Sequence, residues 1–282
     1  MTASPPSIPE FLPNLISAAR TTDGAPPFSD QSLVDVRTGQ RSVVALGEEA
    51  VALVSPTEAE FVVHPDARGQ GLGTQLLEQL LANSPTGLLI WAHGDHPAAR
   101  ALAASHGLEA VRELLHLRAE LDDTAETSGV APGTTTELPT ETQIRPFRIG
   151  HDEPAWLELN ARAFSSHPEQ GQVTRDDLDE LFRENWFSAD DFLVLETDGT
   201  MVGYCWLKID AGEGEFYVVG VDPAAQGSGW GRILTRAGLA RLRQRGIRSA
   251  HLYVEGENTA AVKLYRSLGF SDDSIDIQYR GR

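Results

Sequence analysis

The sequence predicts two tandem copies of one α/β fold built on a mixed sheet, and three observations carry that expectation. A chain of 282 residues has room for about two domains, each able to bury a core without metal or disulfide staples. A glycine-rich segment occurs twice: Phe61 to Thr74 reads FVVHPDARGQGLGT and Val219 to Arg232 reads VGVDPAAQGSGWGR. Val63 answers to Val221, Gly71 to Gly229 and Gly73 to Gly231, an offset of 221 − 63 = 158 residues. That is too long for a solenoid repeat of about 20–50 residues. Between the copies runs Leu121 to Thr142, LDDTAETSGVAPGTTTELPTET, which lacks apolar periodicity and has too little apolar surface to order itself. The expected layout is a domain over 1–120, a linker over 121–142 and a domain over 143–282.

In the first copy, Ala50 to Ser55 and Glu60 to Val63 read as strands, Leu72 to Leu81 as a helix, Leu88 to Ala92 as a strand and Pro97 to Ser105 as a helix. The second copy is clearer. Phe192 to Glu196 is a short strand ending in Asp198-Gly199, a strong hairpin signal between apolar runs. Met201 to Ile209 is its partner, Gly212 and Gly214 mark another turn, and Glu215 to Val221 is a third strand. The glycine loop opens a helix from about Gly229 to Arg245, with Ile233, Ala237 and Ala240 on one face. His251 to Glu255 is a strand and Asn258 to Leu268 a helix stopped by Gly269. Ile275 to Tyr279 alternates as a last strand.

Composition excludes several functions. Acidic residues exceed basic ones by 41 − 23 = 18, which argues against non-specific binding to nucleic acid or an anionic membrane. No apolar run reaches the roughly 20 residues of a membrane span. The start, with prolines at 5, 6, 9 and 13 and no basic region, does not read as a signal peptide, so the expected location is the cytoplasm. One cysteine, Cys205, leaves no disulfide framework. The eight histidines show no ligand spacing, and no metal is expected.

A strand, then Gln226-Gly227-Ser228-Gly229-Trp230-Gly231-Arg232, then a helix, is an anion site with a mechanism. Glycines turn backbone N–H groups inward and the helix N-terminus adds partial positive charge. A tight structural turn is the alternative. The hairpin-connected strands do not fit a dinucleotide-binding crossover, and no Gly-Lys-Ser/Thr follows.

Gln226-x-x-Gly229-x-Gly231, with Asn258-Thr259-Ala260-Ala261-Val262-Lys263-Leu264-Tyr265 and Gly269-Phe270 downstream, resembles the paired motifs of the GCN5-related N-acetyltransferase (GNAT) family. Arg68-x-x-Gly71-x-Gly73 resembles the first motif again, so the chain resembles a tandem GNAT protein. The resemblance implies acetyl-CoA as co-substrate, with one molecule per domain conceivable. It places pyrophosphate on Gln226 to Arg232, pantetheine along Val219-Gly220-Val221, and further contacts on Asn258 to Lys263. In the first copy the corresponding segments are Phe61-Val62-Val63 and Gly69-Gln70-Gly71-Leu72-Gly73-Thr74.

Acetyl transfer needs a group to take the amine's proton and one to protonate the departing thiolate. Glu215, on the strand entering the loop, is the candidate base, and a solvated strand carboxylate is the alternative. Tyr265 is the candidate acid, and a core ring packed on Phe270 is the alternative. Segments such as Phe164 to Gly171 (FSSHPEQG) and Asp23 to Pro27 (DGAPP) narrow the resemblance to family members whose acceptor is a cysteine amine on an amino-sugar. That implies substrate contacts at Asp30, Glu169, Lys208, Glu215 and Tyr253, where carboxylates suit an ammonium and sugar hydroxyls. Cys205 reads as a buried apolar thiol, and His167 as a loop-shaping or substrate-lining residue.

The first copy keeps its loop but not its chemistry. Aligning Gly107 with Gly269 puts Ala103 at Tyr265 and His96 at Asn258, and aligning Val63 with Val221 puts Thr57 at Glu215. The expectation is a cofactor-binding domain without turnover beside a catalytic one, the whole acting as a monomer on a small molecule. An acetyltransferase for another amine, such as an aminoglycoside or peptide, and a non-catalytic CoA-binding module stay open at this point.

Overall fold

A computed structural model describes residues 8–83, 87–121, 141–165 and 170–281. The linker expected over 121–142 lies almost wholly outside the described residues. In chain order the elements are α1 (Leu12–Asp23), α2 (Asp30–Thr38), β1 (Ser42–Leu46), β2 (Ala50–Val54), β3 (Glu58–Val63), α3 (Leu72–Asn83), β4 (Leu89–Ala92), α4 (Pro97–Ser105) and β5 (Glu109–Glu120). There follow β6 (Thr142–Pro146), α5 (Glu153–Ala163), α6 (Arg175–Leu181), β7 (Phe192–Thr197), β8 (Thr200–Asp210), β9 (Glu213–Val221), α7 (Trp230–Gln244), β10 (Ser249–Glu255), α8 (Thr259–Arg266) and β11 (Ser271–Arg280).

These elements form two compact units that depart from chain order. The first holds residues 1–116, 255–257 and 272–282, and the second holds 117–254 and 258–271. In the first unit the strand order is β1-β2-β3-β4-β11-β5, and in the second it is β5-β10-β9-β8-β7-β6. Strand β11, the last in sequence, runs antiparallel to β4, with Tyr279 opposite Ile90.

Local chemistry explains the turns that shape the second unit. Asp198 and Gly199 have φ of 51° and 73°, and Ala211 and Gly212 have 49° and 86°, the left-handed pairs that a two-residue hairpin turn demands. Thr174 caps α6 through a capping box with Asp177. The core of this unit is aromatic. Trp156 from α5, Phe192 from β7 and Tyr204 and Trp206 from β8 are fully buried, with Phe192 stacked on Trp206 at 4.3 Å.

On α7 the buried face is Leu234, Thr235, Gly238, Leu239 and Leu242, one step round from the expected Ile233, Ala237 and Ala240. Gly238 explains the rotation. A Cβ there would lie 2.5 Å from the Phe216 ring and 2.9 Å from Cys205 Sγ, so the helix lies close against the sheet along this line.

Candidate active site

Both glycine loops have the conformation that the motif requires. Gly227 and Gly229 have φ of 81° and 83°, and Gly69 and Gly71 have 75° and 86°. A Cβ at any of these four meets nothing within 4 Å, so backbone conformation rather than space excludes other residues. Gln226 and the glycines lead from β9 to α7, whose N-cap is Gly229 and offers no side-chain cap. Trp230, Gly231 and Arg232 form the first turn, which leaves the first N–H groups available to an anion. Arg232 donates from Nη2 to Ser267 Oγ at 2.6 Å. Asn258 is the N-cap of α8, its side chain accepting from the Ala261 N–H, and Thr259 to Lys263 form the start of that helix.

Strands β9 and β10 run parallel and pair at Gly214/Ala250 and Glu215/His251. Beyond Glu215 the ladder stops, so the edge of Val219-Gly220-Val221 that faces away from β8 carries unused backbone groups. Gly220 is set there by sterics: a Cβ would lie 2.6 Å from the Tyr204 ring.

Glu215 sits where that ladder ends. Its side chain is 18% exposed, which excludes a plainly solvated carboxylate. Its Oε2 lies 3.8 Å from Lys208 Nζ on β8 and 3.8 Å from His251 Nε2 on β10. Lys208 also lies over the Trp186 ring, 5.6 Å from its centroid. Tyr253, on β10, is 51% exposed. Asp30 is the first residue of α2, in the first unit. Glu169 and His167 lie outside the described residues.

Tyr265 is buried in α8 and meets Phe270 edge to face at 5.8 Å. Burial, with a contribution from Cys205, pushes its phenol above the usual tyrosine range, so it stays protonated and able to donate. Cys205 is fully buried, and burial pushes its thiol up as well. That makes it a poor nucleophile.

Sequence reasoning missed a polar network under the expected substrate loop. Asn160, buried on α5, accepts from Tyr204 Oη at 2.6 Å and donates to the Gln170 carbonyl at 2.6 Å. Gln170 Nε2 returns a bond to Asn160 Oδ1 at 3.2 Å. A Cβ on Gly171 would collide with the Phe164 carbonyl. The chain thus re-enters the fold after Glu169 at one fixed place. The sequence carries no clear signal of it, because the apolar pattern of α5 is too weak to mark Asn160 as buried.

The first unit holds a cavity of about 470 Å³ lined by Phe61, Val62 and Val63 of β3 and by Gly69, Gly71, Leu72, Gly73 and Thr74 of its loop. Gln70 departs from this expected set and lines a separate recess with Phe11 and His64. The motif arginine, Arg68, is held at 2.7 and 2.6 Å by both oxygens of Asp23, which also bonds His96 Nε2 at 2.9 Å.

The pairing corrects the expected loss of the carboxylate in this unit. On β9, Trp206 faces Val218 and Leu207 faces Phe216, so Tyr217 is an extra, bulged residue. Strand β3 runs without a bulge against β2. Counting from Val221 and Val63, the counterpart of Glu215 is therefore Glu58, not Thr57. The parallel ladders agree, since Glu215 faces His251 and Glu58 faces Leu89. Glu58 takes Arg41 Nη2 at 3.1 Å on one oxygen and Gln278 Nε2 at 3.0 Å on the other. Ala103 does stand on α4 where Tyr265 stands on α8.

A buried ionic group lies in the same unit. His93 Nδ1 bonds Asp276 Oδ2 at 2.8 Å, and its Nε2 lies 3.5 Å from Glu60 Oε2, an ion-pair distance without hydrogen-bond geometry. Burial alone would push Glu60 up, but His93, Ser32 and the Ser29 N–H outweigh it and hold the carboxyl at about 2. Burial alone would push His93 down, but Asp276 and Glu60 outweigh it and raise the imidazole to about 9. Among the described residues no group of three or more His, Cys, Asp or Glu side chains is arranged to hold a metal ion, and no helix is long and apolar enough to cross a membrane.

Comparison with known proteins agrees with this geometry. Residues 154–270 match the acetyltransferase (GNAT) family and residues 38–108 match an acetyltransferase (GNAT) domain. The mycothiol acetyltransferase of Thermobispora bispora is 42% identical, over 98% of this chain and 96% of its own. That of Sanguibacter keddieii is 43% identical, over 94% and 90%. Among solved structures, a GCN5-related N-acetyltransferase from Sphaerobacter thermophilus is 25% identical with a TM-score of 0.67, covering 96% of this chain and 91% of that one. A tandem GNAT protein from the clavulanic acid pathway shares the fold at 17% identity, with a TM-score of 0.66 over 96% and 93%.

Proposed function

Because the chain belongs to the GNAT family, and within it to the mycothiol acetyltransferases, we propose that its second unit forms mycothiol with Glu215 as base and Tyr265 as acid. The protein is an acetyl-CoA-dependent N-acetyltransferase. It moves the acetyl group to the cysteinyl amine of 1D-myo-inositol 2-(L-cysteinylamino)-2-deoxy-glucopyranoside, releasing mycothiol and CoA.

The observation that supports the residue assignment is one part-buried carboxylate at the point where β9 and β10 part, together with a protonated phenol on α8. The Gly227 to Arg232 loop and the first turn of α7 hold the pyrophosphate, and the free edge of Val219 to Val221 pairs with the pantetheine amides. Glu215, directly or through a water, takes a proton from the ammonium. The freed amine attacks the thioester carbon, and backbone N–H groups on the open edge of β9 meet the charge on oxygen. The C–S bond then breaks, Tyr265 gives its proton to the sulfur, and the second proton shed by the nitrogen restores the Tyr265 phenol, directly or through solvent.

Lys208, Tyr253, Glu169 and Asp30 are assigned to the acceptor. The first unit is assigned a non-catalytic acetyl-CoA site, supported by its intact loop. The domain layout over 1–120 and 143–282 remains our reading of the two duplicated segments, with β11 joining the first. We place the reaction in the cytoplasm, carried out by a monomer without nucleic acid or membrane partners, and the net charge of −18 supports the absence of those partners. Release of CoA thiol tests the function. The cysteinyl amino-sugar should give rapid release and aminoglycosides or peptides little. Turnover of those amines without turnover of the cysteinyl substrate would overturn the substrate assignment.

A further inference from the structure

The two units handle lost volume differently at two places. Phe216 against Gly238 in the second unit becomes Ala59 against Leu80 in the first, with both members buried in each. One side shrinks, the other grows, and the space stays filled. Tyr265 against Phe270 becomes Ala103 against Leu108. Here both members shrink, and both smaller residues line the 470 Å³ cavity. Leu77, in place of Thr235, regains only part of the loss. The cavity is partly open to solvent, and an apolar ligand that covers its walls gains the free energy of burying them.

The cavity is also continuous with the loop. Its wall runs from Gly69 and Gly71 along Val63 to Ala99, Leu102, Ala103 and Leu108. A CoA thioester seated on the loop therefore shares one cavity with the apolar space at the place where the second unit carries two rings. The charged side chains that line it disfavour an anionic acyl group, because Arg68 and His96 are both taken by Asp23, and His93 lies against Glu60 and Asp276.

We propose that the first unit takes a CoA thioester with an apolar acyl chain longer than acetyl, of the butyryl class, in the space opened by Ala103 and Leu108. The proposal rests on the reading of that unit as a CoA-thioester site. Each added methylene should tighten binding about fourfold until the space is full.

Calorimetric titration of the full chain with acetyl-, butyryl- and succinyl-CoA tests it. Butyryl-CoA should bind one of two sites about fifteenfold tighter than acetyl-CoA does, and succinyl-CoA should gain nothing. Ala103→Tyr should erase the butyryl preference while two equivalents of acetyl-CoA still bind. Leu108→Phe, the milder change, serves if Ala103→Tyr does not fold. Two equivalents with no chain-length preference, or a preference that survives both substitutions, would overturn the proposal alone. A single equivalent of acetyl-CoA would instead remove the reading beneath it.

Discussion

Glu215 and Glu58 stand at equivalent places on equivalent strands, yet their surroundings differ in kind. Both oxygens of Glu58 are occupied, one by a buried arginine and the other by Gln278. Glu215 has Lys208 Nζ and His251 Nε2 each at 3.8 Å, too long for a hydrogen bond, and keeps part of its side chain in reach of solvent. A carboxylate serves as a base only if an oxygen is free to take a proton in the right direction. The first unit kept the residue and lost the freedom, and it lost the phenol as well. On our proposal that the first unit does not turn over, a duplicated site is silenced by what is added around a reactive group, not only by its removal.

That contrast can be broken most directly at the two glutamates. Glu215→Gln should lower kcat by about a hundredfold or more, while Glu58→Gln should leave it unchanged, both read by CoA release. Equal effects would erase the distinction. The phenol comes next: Tyr265→Phe should lower kcat at least about tenfold. The effect should shrink when a more acidic thiol leaves, because a better leaving group needs its proton less.

The loops sharpen the comparison further. Gly229→Val forces a side chain into positive φ and should raise the acetyl-CoA KM about tenfold in steady-state kinetics. Gly71→Val should leave kinetics alone and reduce bound acetyl-CoA from two equivalents to one in equilibrium dialysis.

The smallest effect concerns stability. Glu60 is lowered to about 2 and His93 raised to about 9. The Glu60 contribution is present above its unfolded value of about 4.5 and lost as pH falls toward 2. The His93 contribution is complete below about 6.5 and lost as pH rises through 9. The first unit should therefore melt at its highest temperature between those limits. Asp276→Asn should flatten the alkaline fall by a few degrees in calorimetry and leave the second unit's transition in place.

What the sequence reveals is what is local. The glycine loops and the Asp198-Gly199 turn depend on a few adjacent residues, and the structure holds both. Glu215 and Tyr265 are named from the family resemblance, and they lie on β9 and α8. The Tyr217 bulge was not readable, because a bulge is a relation between two strands, and that one residue shifted the apparent counterpart of Glu215 from Glu58 to Thr57. The Arg41 and Gln278 partners were invisible for the same reason. Helices α1, α2, α5 and α6 carry weak apolar patterns among polar residues and went unassigned. The Asn160 network joins α5, β8 and the segment around Gln170 through side chains that no periodicity marks.

Strand β11 has a consequence for how the protein is made. Ile90 on β4 waits for Tyr279, a separation of 279 − 90 = 189 residues. At a synthesis rate of about 5–20 residues per second, that is about 10–40 s. Throughout that interval β4 presents an open edge of the kind that recruits foreign strands. The half of the molecule that leaves the ribosome first is finished last, so nascent chains stalled before residue 272 should be the ones that chaperones retain.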